Sequence, residues 1–270
     1  MNTMEAIRTR RSVRTFDGRA LREEDARRIL DFARMAENPY ELPVTWMLLD
    51  AKKDVPGAPV ITGTDAYLAG KMRRADHAEE AFGYTFEKIV LFAQTIGVGT
   101  TWIAGTMNRA AFERAAGLSA GEVMPCVSPL GYAAKKMSLR ETMMRKGVRA
   151  DSRMDFQTLF FLGDFDTPLM PEAAGQCREP LEAVRLSPSA VNKQPWRAVL
   201  RDGAVHFYEK KNKSSASADA WDVQKIDMGI ALCHFELGAE SVGLPFSFRI
   251  ADPGIPAPEN TFYIASYELA

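Results

Sequence analysis

The sequence predicts an α+β protein built of two related halves, and three observations carry that prediction. Segments with a single apolar stripe at helical spacing alternate with short apolar runs of strand type. Two long segments, Asp76 to Gly97 and Asp222 to Gly243, read as core helices. The second half also echoes the first. Pro43 placed on Pro195 puts Leu48 on Leu200 and Asp50 on Asp202, while Gly97 placed on Gly243 puts Ala93 on Ala239 and Trp102 on Phe248, with offsets of roughly 150 residues.

From Arg22 to Ala36, the residues Ala26, Ile29, Leu30, Ala33 and Ala36 recur at three and four, the pattern of a helix with one buried stripe. ENPYELPVTWMLLD then reads as a Pro-punctuated loop entering a strand from Trp46 to Leu49. Residues 51–74, rich in Gly, Pro and Lys, show no element. Between Asp76 and Gly97, Phe82, Phe86, Ile89, Val90 and Ala93 share a face, and Gly97 suits a C-terminal cap. A strand through Trp102, a helix from Asn108 to Ala116 and a buried strand in VMPCVSPLGY follow. The run from Lys135 to Arg153 concentrates positive charge, which usually marks a solvated face.

With 270 residues, 46% apolar and 26% charged, the composition is that of a soluble globular protein. Lys plus Arg (34) balance Asp plus Glu (35), so the net charge of -1 makes no electrostatic case for nucleic acid or an anionic membrane. Any anion must be bound locally. Cys126, Cys177 and Cys233 are odd in number and widely separated, which argues against a disulfide framework or a zinc site and for buried thiols. His77, His206 and His234 have no metal-ligand spacing; His206 alternates within DGAVHFY and His234 lies in a helical pattern. MNTMEAIRTRRSVRTF lacks the apolar core of a signal peptide, and no run approaches the ~18 residues of a membrane span, so the expected compartment is the cytoplasm.

Two motifs carry chemistry. RRSVRTF sets Arg10, Ser12 and Arg14 at alternate positions, so an extended backbone would aim all three one way. Converging guanidiniums and a hydroxyl suit a dianionic phosphate; an exposed basic arm is the alternative. SPSAVNKQPW, Ser187 to Trp196, stiffens Ser187, Ser189, Asn192 and Gln194 between Pro188 and Pro195. Its amides complement a heterocycle edge that mixes carbonyls and ring nitrogens. The alternative is a helix-to-strand turn whose Ser and Asn satisfy their own backbone, which accounts poorly for Gln194 and Trp196.

RRSVRTF, SPSAVNKQPW, the long helix ending IGVGTTWIAG and the strand ending PLGY together resemble the FMN-dependent nitroreductase family. Ordinary members resemble a single repeat and form homodimers. Here RRSVR and SPSAVNKQPW lie about 180 residues apart, which resembles the fused, tandem subgroup in which one chain imitates the dimer. The resemblance covers nearly the whole chain, apart from residues 51–74 and 209–222. It implies a mixed, mostly antiparallel sheet per half, flanked by helices, with halves 1–158 and 159–270 forming one compact unit around the two long helices, and a monomer acting as a pseudo-dimer.

The resemblance further implies that Arg10, Ser12 and Arg14 hold the phosphate, ribityl chain and pyrimidine side of FMN, while Arg11 either adds to the phosphate site or faces away. Pro188, Ser189 and Asn192, with Gln194 in the same loop, would reach the flavin from the other half. Ile103, Ala104 and Gly105 would offer backbone groups to the isoalloxazine N5 edge. Arg153, or secondarily Arg149, would close the phosphate pocket. The first-half stretch NPYELPV has lost the hydroxyl and amide residues, so one FMN per chain is expected. With no catalytic side chain required, NAD(P)H would serve as transient donor and a nitroaromatic, quinone or similar small molecule as acceptor, in a ping-pong hydride cycle. A non-catalytic flavin-binding or sequestering protein, or a scaffold that has lost FMN, is the alternative. Residues 51–74 and KKNKSSASADAW would form the acceptor pocket and a mobile loop over it.

Overall fold

The computed structural model describes residues 1–211 and 221–270, so most of the KKNKSSASADAW stretch lies outside the described residues. Residue contacts divide the chain into two compact units, Met1–Ala150 and Asp151–Ala270.

In the first unit, helix α1 (Thr3–Thr9) starts with a capping box between Asn2 and Glu5, each side chain receiving the other residue's backbone N–H. Helix α2 (Glu23–Met35) buries Ile29 and Ala33 of its predicted stripe. Strand β1 (Thr45–Asp50) pairs antiparallel with β2 (Ala66–Arg73). Helix α3 (Ala78–Thr95) and helix α4 (Arg109–Ala115) follow, and then β3 (Glu122–Val123) and β4 (Val127–Leu130) both pair antiparallel with β2. The central strand of this sheet therefore comes from the stretch where no element was legible.

The reason is local. AYLAGKMR interrupts its apolar run with Gly70 and Lys71, and both serve packing. Gly70 pairs with Trp46, and a Cβ at Gly70 would come within 2.3 Å of the indole. That vacancy admits the Trp46 ring, which packs on Phe82 and Phe86 of α3 at centroid distances of 5.4 and 5.0 Å. On the opposite sheet face, Leu49, Tyr67 and Val127 cluster with Phe112 of α4. Lys71 sends its ammonium to the Gly117 carbonyl at 2.7 Å and to Glu122 at 2.9 Å.

Two expectations change in this unit. The segment through Trp102 is not a strand of its own: Thr100 bridges Ser12, Gly99 bridges Gly131, and Ile103 bridges Val127. Its backbone groups are spent on several different partners, so no continuous ladder forms. The basic run, in turn, is more than a solvated face. It forms helix α5 (Leu139–Gly147), capped by Ser138, with Glu141 buried.

In the second unit, helix α6 (Phe156–Leu159) leads directly into β5 (Phe160–Leu162). Helix α7 (Arg178–Leu186) precedes β6 (Trp196–Arg201) and β7 (Ala204–Lys210), and helix α8 (Val223–Ser241) precedes β8 (Phe246–Arg249) and β9 (Thr261–Leu269). The sheet order is β5-β6-β7-β9-β8, with β5 parallel to β6 and the other pairs antiparallel. Helix α8 is buried on nearly all sides, and His234 sets its Nδ1 2.9 Å from the Ala183 carbonyl of α7. His206 lies in β7 with its Nδ1 2.7 Å from Ser266 Oγ. All three cysteines are buried; burial pushes the Cys177 thiol up to about 11, away from nucleophilic use.

The echo between the halves has a physical counterpart. Helices α3 and α8 end in the same Schellman cap: Val98 N–H bonds Ala93 O at 2.9 Å and Leu244 N–H bonds Ala239 O at 3.0 Å, with Gly97 at φ 80° and Gly243 at φ 66°. The shared register is 243 − 97, or 146 residues. Each long helix follows an antiparallel strand pair, β1–β2 or β6–β7. Among the described residues, no helix is long and apolar enough to cross a membrane.

Candidate functional site

The RRSVRTF arm leaves α1 at Arg10, whose φ of -57° and ψ of 133° turn the chain into an extended path. Val13 N–H bonds Thr100 O at 2.8 Å, Thr62 N–H bonds Arg14 O at 3.0 Å, and Phe16 N–H bonds Thr62 O at 2.8 Å. With Val13 and Phe16 buried, the arm is fixed as firmly as a strand. It is not a loose basic tail.

Its charges are caught among buried acids. The Arg10 side chain is 5% exposed, with its Nε 3.7 Å from Glu87 Oε1 on α3, and its buried Nη1 has no hydrogen-bond partner among the described residues. Glu87 also receives the Trp102 Nε1–H at 2.9 Å, so one buried carboxylate ties the arm to the 102–105 segment. Arg11 reaches Glu141 of α5 at 3.3 Å, and the other oxygen of Glu141 has no hydrogen-bond partner among the described residues. Arg11 therefore engages α5 directly, while Ser12 is half-buried beside Thr100. Thr15 Oγ1 receives the Ser138 N–H at 3.1 Å, docking the α5 cap on the arm.

Burial lowers the Arg10 pKa most strongly, against the pull of Glu87, and Arg145 lowers it further by repulsion. Burial likewise dominates at Arg14, where Glu141 opposes it and Arg145 and Arg10 reinforce it. The guanidiniums of Arg10, Arg14 and Arg145 thus crowd one region in which Glu87 and Glu141 are the buried acids. Local positive excess, with an orphaned donor on Arg10, is the electrostatic setting a phosphate group fits.

Arg145 was missed in the sequence because a basic run does not reveal which member points inward. Glu87 offered a better signal, the single carboxylate of α3 beyond its first turn. Arg149 is exposed with φ 48° just after α5. Arg153 falls in the second unit, with Nη1 3.5 Å from Asn192 Oδ1 and Nη2 3.3 Å from the Leu186 carbonyl. Ile103 spends both its N–H and its C=O on Val127, each at 2.9 Å, so backbone contact from this segment falls to Ala104 and Gly105. The Ala104 carbonyl in turn receives Arg109 Nη2 at 2.7 Å.

The Ser187–Trp196 loop of the second unit is tightly wired. Ser189 Oγ receives the Gln194 N–H at 2.9 Å, and Gln194 Oε1 receives the Met154 N–H at 2.9 Å. Asn192 Nδ2 donates to the Ser152 carbonyl at 3.1 Å, while Pro188 is half-buried beside the buried Ser187. Val191, Asn192 and Gln194 take φ values of 45°, 58° and 50°, a left-handed conformation that is costly for Val above all. Much of the polarity noted in the sequence is thus used to hold the loop in shape; the side chain of Gln194, itself only 3% exposed, is the clearest case. Among the described residues, no group of three or more His, Cys, Asp or Glu could hold a metal ion.

The fold and these two polar segments define an α+β protein of nitroreductase-like architecture. The family described as "Putative TM nitroreductase" matches residues 2–239, and the chain belongs to that family. The crystal structure of a "putative nitroreductase" from Thermotoga maritima shares the fold at a TM-score of 0.63, with 19% identity over 100% of this chain and 93% of that one. A nitroreductase family protein from Clostridium difficile matches 54% of this chain and 92% of its own, with 17% identity and a TM-score of 0.45. A "putative nitroreductase in complex with fmn" from Desulfovibrio desulfuricans matches 53% of this chain and 95% of its own, with 19% identity and a TM-score of 0.42. A search of curated proteins gave no match.

Proposed function

We propose that the chain is an FMN-dependent oxidoreductase that takes reducing equivalents from NAD(P)H and passes them to an electron-poor small molecule such as a nitroaromatic or a quinone. The observation that carries this reading is the buried cationic arm, in which Arg10, Arg14 and Arg145 stand against Glu87 and Glu141 and Arg10 retains an unpartnered donor, in a chain of the nitroreductase family.

Bound FMN would supply hydride acceptance and delivery, chemistry that belongs to the cofactor. The protein's part is to bind and orient. Arg10, Arg14 and Arg145 would take the phosphate, with Arg11 held back by Glu141 and Ser12 adding a hydroxyl. A guanidinium such as that of Arg14 would also stabilise negative charge on a reduced ring. Ala104 and Gly105 would offer backbone groups to the ring edge. Ser189 and Asn192 would bind from a loop that has already lost its conformational freedom, which limits the entropy spent on binding. One FMN per chain follows, because NPYELPV lacks the matching side chains.

The test is an FMN titration of the purified protein followed by anaerobic addition of NADH or NADPH. Binding near one FMN per chain, weakened in both Arg10→Ala and Asn192→Ala, with bleaching by a nicotinamide and reoxidation by a quinone, is the expected result. Binding without reduction would leave a flavin-sequestering protein, and indifference to FMN at high micromolar concentration would sink the reading.

A further inference from the structure

Asp227, near the start of α8, is 3% exposed, and its carboxyl oxygens receive the Ala190 N–H at 3.0 and 3.2 Å. Ala190 directly precedes the left-handed stretch of the 187–196 loop. Val191 within that stretch is 63% exposed, so packing does not hold its costly backbone. Hydrogen bonds do: Asn192 N–H to Ser189 O at 3.0 Å and Lys193 N–H to Ala190 O at 3.1 Å within the turn, and at its two ends Ala190 on Asp227 and Gln194 on Ser189 Oγ.

The repeat supplies an internal control. Counting from the shared helix caps, the residue of α3 equivalent to Asp227 is 227 − 146 = 81, a buried alanine. The loop ahead of β1 closes differently. Asn38 Oδ1 receives the N–H groups of Tyr40 and Leu42 at 3.2 and 3.3 Å, and Asn38 Nδ2 reaches Thr85 of α3 at 3.3 Å. At the register of Asp227, α3 thus carries alanine, its nearest buried acid Glu80 lying one residue away, and the loop ahead of β1 is closed by Asn38 instead of by an acid of the long helix.

We propose that Asp227 is the positioning residue of the 187–196 loop, holding Ala190 so that Ser189 and Asn192 meet the ligand in one fixed arrangement. The ligand part of this inference rests on the FMN reading; the holding of the loop does not. The surroundings favour an uncharged Asp227. Burial raises its pKa most, Asp222 at the α8 cap and Glu209 of β7 add repulsion, and the Ala190 N–H opposes them. Asp222 is itself paired with Lys211 at 3.4 Å. Because the folded value is raised, the fold is most stable while Asp227 is protonated and loses stability as pH rises from the ordinary carboxylate range through the folded value, whereas the Ala190 hydrogen bond, which opposes the shift, is not weakened by ionisation.

Wild type, Asp227→Asn and Asp227→Ala are compared in two ways: amide exchange protection of residues 190–194 in the ligand-free protein, and FMN titration from pH 6 to 9. Asp227→Ala is expected to lower both protection and affinity on the order of ten-fold. Asp227→Asn keeps an acceptor at the same place, so it should stay within about two-fold of wild type in both readouts. Unchanged protection in Asp227→Ala overturns the proposal, as does an Asn variant as impaired as the Ala variant. If wild type binds no FMN, the functional reading fails while the exchange data still decide the role of Asp227.

Discussion

The arm at Arg10–Phe16 and the loop at Ser187–Trp196 are both held still, but by opposite electrostatic means. The arm is fixed by backbone pairing to Thr62 and Thr100, and its ions are matched to buried ions, Arg10 to Glu87 and Arg11 to Glu141. The loop's backbone bonds stay within its own turn, Asn192 to Ser189 and Lys193 to Ala190, and its links outward run through side chains such as Gln194 and Asp227, which accept hydrogen bonds one at a time. Charge that must be retained to bind a phosphate needs charged partners, because an unmatched buried ion is expensive. A strained turn needs acceptors that stay put.

The largest expected effect lies in the arm. Glu87→Leu leaves the Arg10 guanidinium buried without its ion and Trp102 without its acceptor, a loss of about 3–5 kcal/mol in urea unfolding; a cost below about 1 kcal/mol would mean that the pairing is incidental. Next, Arg14→Ala should weaken FMN on the order of 10- to 100-fold by fluorescence titration while moving the unfolding midpoint little. If stability falls instead and affinity holds, the arm is structural alone.

The loop should respond more gently. Ser189→Ala removes the acceptor of the Gln194 N–H and is expected to cost about 1 kcal/mol by thermal unfolding. Val191→Gly relieves a left-handed β-branched residue, so stability should hold or rise by up to about 1 kcal/mol, with FMN affinity lower because the loop is looser. An unaltered affinity would show that strain at Val191 has no part in presenting the ligand groups.

Residues in those two segments were legible for different reasons. RRSVRTF announces itself because extended alternation and arginine chemistry are local properties, and the structure does extend the segment. SPSAVNKQPW was legible as stiff, yet which of its side chains hold the turn depends on partners such as Met154 and Ser152 some 40 residues distant in sequence. Lys135–Arg153 misled because charge density says nothing about direction: Glu141 is buried and half-buried Arg145 is near enough to repel Arg10, whereas Arg149 remains exposed.

By itself, the sequence determined the alternation of helices and strands, the two long core helices with their glycine ends, the repeat and the two polar segments, because each follows from periodicity, turn chemistry or residue type within a short window. Only the tertiary structure decided that residues 66–73 form the central strand, that Gly70 exists to admit Trp46, and that Glu87 and Asp227 anchor the arm and the loop. Those facts depend on which distant groups meet in a low-dielectric interior, where a single unmatched charge or crowded ring outweighs every local preference.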